Sequence, residues 1–146
     1  MSQSEMQIHR VLERYRSTVF AKDLEGFLRL YSENVRIFDT WKAWSYEGKN
    51  AWREVIGKWF ASLGEETVAV TLEDVQVTAG ADLAIAGAIV TYAAVSPAGR
   101  TLRSIQNRLS VALAREGNDW LIVHEHTSVP IGFDDMRAVT AKSPDP

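Results

Sequence analysis

Residues 106–130 read QNRLSVALAREGNDWLIVHEHTSVP, two runs of strand-like residues flanking the turn Glu116-Gly117-Asn118-Asp119. A turn of this composition between such runs is a hairpin signal. The first strand extends back to Arg100, and the second runs from Trp120 to Val129, ended by Pro130 and Gly132. In the second, Trp120, Ile122, His124, His126 and Ser128 have one parity, and Leu121, Val123, Glu125 and Thr127 the other. In the first, Ser104, Gln106, Arg108, Ser110 and Ala112 alternate with Ile105, Asn107, Leu109, Val111 and Leu113. The polar stripes of the two strands are expected side by side, on a face that begins apolar at Trp120 and Ile122. Convergent polar groups in an apolar cup are the usual form of a small-molecule site.

Upstream of the hairpin the period stays at two as far back as Val68. Leu83 to Val95 is a long apolar run closed by Ser96-Pro97-Ala98-Gly99. Val68, Val70 and Leu72 share one parity, Val75 and Val77 the other, so a β-bulge is expected near Glu73-Asp74. Before Gly64 the spacing is helical. Ile8, Val11, Leu12, Tyr15 and Val19 make one apolar stripe, with a helix start near Ser4. Leu24, Phe27, Leu28 and Tyr31 make a short second helix, followed by a strand over Val35–Phe38. Trp52, Val55, Ile56, Trp59, Phe60 and Leu63 make a third, with Asn50 as cap and Gly64 as stop. Three helices followed by a meander of long antiparallel strands predict an α+β domain with helices on one face of a curved sheet. The tail beyond Met136 is expected to be loose.

The bulk composition narrows the function. A chain of 146 residues makes one domain able to bury about two-thirds of its unfolded surface. With no cysteine, disulfides, thiolate nucleophiles and Cys-bound metals are excluded. A net charge of −3 offers no general attraction to nucleic acid. No apolar run approaches the roughly 20 residues of a membrane span, and no secretory signal opens the chain, so a cytoplasmic location is the expectation. No nucleophile elbow, phosphate-binding glycine loop, calcium loop or dinucleotide fingerprint occurs, and no cofactor is expected.

A few residues could carry chemistry. His124 and His126 could be two ligands of a metal whose third would be His9, an Asp or a Glu, or a hydrogen-bonded structural pair; no further motif supports a metal. Arg108, amid an apolar strand, needs an acceptor if buried, either Glu125, Asp39 or Glu47 within the chain or an acidic ligand. Asp39 precedes the aromatic segment Trp41, Trp44, Tyr46; against aromatic walls its pKa would rise and it could act as a base, or it simply caps the turn. Tyr15, on the buried stripe of the first helix, is either a donor to the cavity or a core tyrosine. The pair Trp52 and Trp59 reads as core packing.

The hairpin resembles that of the SnoaL-like, nuclear transport factor 2-like superfamily, with an Arg on the penultimate strand, a Gly-containing turn, then Trp120-Leu-Ile-Val-His124-Glu-His126-Thr-Ser128. Within it, the chain resembles the association domains of calcium/calmodulin-dependent protein kinases and their free-standing bacterial relatives. Phe27 to Tyr31, the strand to Phe38, and Tyr46-Glu47-Gly48 before the third helix follow in the same order, so the likeness covers about residues 5–131. It implies a cone-shaped, cystatin-like domain with three N-terminal helices. It also implies that Arg108, His124 and His126 point into the cone, with Tyr15, Trp41 and Trp44 near its mouth. Ketosteroid isomerases share this architecture and use a Tyr and a protonated Asp as oxyanion donors with an Asp base. Tyr15 could match the first and Asp39 the base. No second Asp stands on a late strand, which argues against a steroid isomerase mechanism.

Three functions follow as expectations. The first is binding of a small anionic or polar-headed apolar molecule through Arg108, Gln106, Ser110, Trp41, Trp44 and the two histidines. The second is an isomerase, dehydratase or cyclase with a pocket His or Asp as base. The third is a non-catalytic oligomerisation module. Ile105, Leu109, Val111, Leu113, Leu121 and Val123 are expected to form an outer apolar face through which two copies pair.

Overall fold

The computed structural model describes residues 1–142 of the chain. Helix α1 (Gln3–Ala21) buries Ile8, Val11, Leu12, Tyr15 and Val19, the stripe set by their spacing. Its cap is Ser2, whose hydroxyl accepts from Glu5 N at 3.1 Å, and Lys22 ends it in the left-handed region at φ 52°. Helix α2 (Leu24–Leu28) is capped by Asp23 and shorter than its apolar pattern suggests. Tyr31, expected as its last buried position, instead opens strand β1 (Tyr31–Phe38). The cause is tertiary: Leu30 O accepts from Ile122 N, and Tyr31 pairs with Ile122. A strand partner outweighs a weak local helix preference.

After the short strand β2 (Tyr46–Glu47), helix α3 (Lys49–Ser62) buries Trp52, Ile56 and Phe60. Its N-cap is Gly48 at φ 90°, two residues before the expected Asn50, and Gly64 beyond its end lies at φ 59°. Both glycines stand where a side chain would be strained. Strands β3 (Thr67–Ala79), β4 (Leu83–Val95), β5 (Thr101–Glu116) and β6 (Asp119–Ser128) complete a six-stranded sheet in the order β2-β1-β6-β5-β4-β3. Only the β1–β6 pair is parallel. Helix α1 packs on β3 and α3 on β1, so the core lies between the helices and one face of the curved sheet.

Two bulges set which side chains enter that core. In β3, Glu73 pairs with Ile89 and Gln76 with Gly87, and Asp74 has φ 53°. Val68, Val70 and Leu72 pack inward before the bulge and Val75, Val77 and Ala79 after it, the switch that the changed parity predicts. In β6, Leu113 pairs with Ile122 but Ala112 with His124, so Val123 is the extra residue. Trp120 and Ile122 are buried before it, Glu125 and Thr127 after it.

The hairpin register and this second bulge together correct the expected faces. Asn107, Leu109, Val111 and Leu113 are buried, so the apolar set expected outside lies largely in the core. At the far end, the segment after Met136 was expected to be loose. Ile131 bridges Ala138, Val139 N donates to Pro130 O, and Gln106 N donates to Thr140 O at 2.9 Å. Residues 143–146 lie outside the described residues.

Candidate functional site

Down the inner face of β6, the side chains run from apolar to polar. Trp120 and Ile122 lie toward the hairpin turn, Glu125 and Thr127 away from it. Glu125 is 2% exposed, and the Tyr31 hydroxyl donates to its Oε1 at 2.6 Å. Burial raises the Glu125 carboxyl to about 7, with the Asp39 charge adding to the rise and the Tyr31 hydrogen bond opposing it. A carboxyl in this range exchanges a proton near neutrality.

Tyrosines surround this acid. Tyr15 from α1 and Tyr92 from β4 share a hydrogen bond of 2.8 Å between their hydroxyls. Desolvation raises Tyr15, Tyr31 and Tyr92, and the Glu125 charge acts on all three in the same direction, which places them in one electrostatic cluster. Tyr15, Phe27 and Tyr31 stack in sequence, with ring centroids 5.3 and 5.1 Å apart. Trp52 Nε1 is turned toward the Tyr31 hydroxyl but reaches no hydrogen bond, and Asn107 Oδ1 is likewise buried without a partner among the described residues. A buried polar atom without a partner is costly, so two in one interior are a feature to be explained.

Asp39 follows the last residue of β1 and reaches the same region from the strand end. Thr127 donates to Asp39 Oδ1 at 3.1 Å while accepting from Thr40 N at 3.0 Å. Burial raises the Asp39 carboxyl and the Thr127 bond partly offsets that rise. Thr127 lies two residues from Glu125 on the same face, so about 7 Å of strand rise separates the β6 position that bonds Asp39 from the one that carries Glu125.

The two unused protons here are significant. A hydroxyl pair uses one of its two protons internally, so the Tyr15–Tyr92 pair keeps one free to donate. Glu125, when protonated, gains an O–H while its Oε1 still accepts from Tyr31. Two neutral donors and a second carboxylate, Asp39, stand in one partly desolvated region.

The structure brings Arg108, Ser110, His124 and His126 together, but on the outer face. Ser110 pairs with His126 and Ala112 with His124, while Arg108 Nε donates to Ser128 Oγ at 3.0 Å. Arg108, Ser110 and His126 are exposed and His124 is half-buried. Both imidazoles stand edge-on to Phe38, at 5.0 and 5.5 Å, and burial followed by the His126 and Arg36 charges lowers the His124 pKa. The expected inward projection is therefore corrected: the Val123 bulge turns both histidines outward, and the hairpin register, with Leu113 opposite Ile122, puts Arg108 and Ser110 on the outer face. None of the carboxylates considered for Arg108 bonds it; its partner is Ser128. His9 lies on α1, and no three metal-ligating side chains gather among the described residues. Gln106 donates to Thr91 Oγ1 at 3.1 Å and accepts from Lys142 N. Trp41 and Trp44 are 55% and 96% exposed on the β1–β2 connection. Tyr15 and Asp39 alone of the expected residues belong to the interior cluster. Glu125, Tyr31 and Tyr92 join them.

The SnoaL-like domain family profile matches residues 8–132. A comparison with curated proteins gives no match. Among solved structures, an NTF2-like protein of unknown function from Pseudomonas putida KT2440 superposes with a TM-score of 0.86 at 24% identity, covering 99% of each chain. A protein from Novosphingobium aromaticivorans, provisionally described as an aromatic ring hydroxylase, gives 0.72 at 19% identity over 88% of this chain and 91% of that one. A protein from Xanthomonas campestris, provisionally described as a calcium/calmodulin dependent protein kinase II association domain, gives 0.70 at 12% identity over 83% and 84%. At these identities the likeness is one of fold.

Proposed function

On the premise that the chain belongs to the SnoaL-like domain family, we propose that its interior binds a neutral, polar-headed apolar small molecule and moves a proton on it. The reaction class is isomerisation, dehydration or cyclisation through an enol or enolate. The observation that carries this reading is Glu125, a fully buried carboxyl bonded to Tyr31 beside Tyr15 and Tyr92, with burial pushing its pKa up to about 7. No cation lies in the cluster among the described residues, so an anionic headgroup has no counter-charge there and a neutral carbonyl compound suits it better.

In this scheme Asp39 takes a proton from the carbon next to the carbonyl. The electron pair moves onto the carbonyl oxygen, which accepts hydrogen bonds from the Glu125 O–H and the free proton of the Tyr15–Tyr92 pair. Asp39 then returns its proton to another carbon, to a β-hydroxyl that leaves as water, or to the alkoxide formed when the enolate attacks an internal carbonyl carbon. Donors that are neutral until charge develops stabilise the transition state more than the ground state. Raised basicity at Asp39 shifts proton transfer toward the working pH.

The test needs no known substrate. A panel of bicyclic and tricyclic ketones is incubated in deuterated water, and exchange at the α-carbon is followed by NMR. The wild type accelerates exchange for some members; Asp39→Asn loses at least about a hundredfold of that rate while ligand-induced thermal shifts persist. Exchange unchanged by Asp39→Asn, or no ketone that shifts the melting temperature, overturns the proposal.

A further inference from the structure

Away from the interior, α2 and α3 flank a surface cleft of about 280 Å³ lined by Glu25, Leu28, Arg29, Lys49 and Arg53. Three cations and one carboxylate line it, and a second carboxylate, Glu33, lies beside Lys49, in a chain of net charge −3. Lys49 and Arg53 are four residues apart and so adjacent on one face of α3, a spacing at which like charges destabilise a helix. They occupy its N-terminal half, where the helix dipole favours negative charge, and no acidic residue lies in its first turn. Glu25 and Glu33 offset two of these charges, which leaves one cation in excess beside the N-terminal half of α3. A bound anion would relieve both costs.

The cations are also held in place. Arg53 Nη1 bonds the carboxylate of Glu25 across the cleft from α2. Lys49 Nζ lies 3.5 Å from Glu33, and its side chain is only 17% exposed. Arg29, by contrast, has an exposed side chain that forms no ion pair or hydrogen bond among the described residues. A free guanidinium lining the same cleft as a positioned ammonium can grip several oxygens of one group.

We infer that this cleft is a binding site for a small multivalent oxyanion, inorganic phosphate or a phosphate monoester. Arg29 supplies a planar pair of donors, Lys49 a point charge, and Arg53, steadied by Glu25, the third positive wall above Leu28. The site is separate from the interior acids and stands whether or not they do chemistry.

Amide chemical shifts are followed by NMR while sodium phosphate or glycerol phosphate is added at constant ionic strength, with sodium chloride as the control. Saturable shifts confined to residues 28–29 and 49–53 are expected with both phosphates and not with chloride. Arg29→Ala, which removes no bond from the fold, is expected to weaken the affinity by about tenfold or more. Lys49→Gln is expected to do likewise, and Arg100→Ala, in the remote β4–β5 turn, to change nothing. Saturation by glycerol phosphate alone identifies the monoester as the source of the group. Shifts no larger than those with chloride, or affinity unchanged in Arg29→Ala, overturn the inference. So does binding of an acidic peptide with no response to either phosphate, which would make the cleft a protein-docking surface.

Discussion

Replacing Glu125 with Gln removes an ionisable group from the centre of the fold while keeping its size and an oxygen that can accept from Tyr31. Burial raises this carboxyl from 4.5 to about 7. Between those values the folded chain binds more protons than the unfolded one, so wild-type stability falls as pH rises through that window. At ~1.36 kcal/mol for each pH unit of displacement, the loss completed above neutrality is about 3 kcal/mol. Glutamine carries no charge at any pH and escapes it. Glu125→Gln should therefore be close to wild type near pH 4.5 and more stable by up to about 3 kcal/mol near pH 8. Asp39 is also raised by burial and tilts both proteins the same way, so its effect largely cancels in the difference. The tyrosines around the acid are all pushed upward, out of this window. Urea unfolding followed by tryptophan fluorescence across the pH range gives the two slopes. Parallel stability curves, or a wild type that gains on the variant as pH rises, would show that Glu125 ionises freely and remove the basis for the acid in the proposed chemistry.

Tyr92→Phe strands the Tyr15 hydroxyl in the core and should cost about 1–3 kcal/mol in urea unfolding. Removing Tyr15's hydroxyl as well should add little, with a coupling of about 1 kcal/mol between the two sites; strict additivity would mean the 2.8 Å contact carries no energy. On the outer sheet face, Leu83 and Ile85 are 68% and 55% exposed beside Ile89 and Ala112, which supports pairing of two copies through that face. Light scattering at micromolar concentration should give the mass of two chains, and Ile85→Glu the mass of one. A wild-type mass of one chain would end that proposal.

Periodicity alone carries the helices, the meander and the bulge in β3, because each rests on several apolar residues changing phase together. Leu72 and Val75 mark that bulge from either side, and both pack on the core. The β6 bulge leaves no such mark. Leu121, Ile122 and Val123 are all apolar, so either parity can be continued through them, and the histidines inherit the face of Ile122 by default. Cross-strand counting recovers part of the answer. With Gly117-Asn118 as the turn, Leu113 falls opposite Ile122, so Leu109, Val111 and Leu113 share the buried face and Arg108 must point away. That step separates the arginine from the buried face without any structure.

What it cannot decide is which of His124 and Glu125 goes inside, since hydropathy favours the imidazole over a carboxylate. The buried choice is settled by a partner ninety-four residues away in the chain, the Tyr31 hydroxyl. Tyr31 in turn reads as helical until its pairing with Ile122 is known. Glu125 and Tyr31 are thus hidden for the same reason: each is placed by a contact with a residue far away in the chain. Asp39 and Tyr15 were legible because local features, a strand end beside aromatics and a helical stripe, mark them independently. A buried acid of this kind is best sought in sequence as an acidic residue on a strand whose apolar phase is ambiguous, with an unassigned tyrosine elsewhere in the chain.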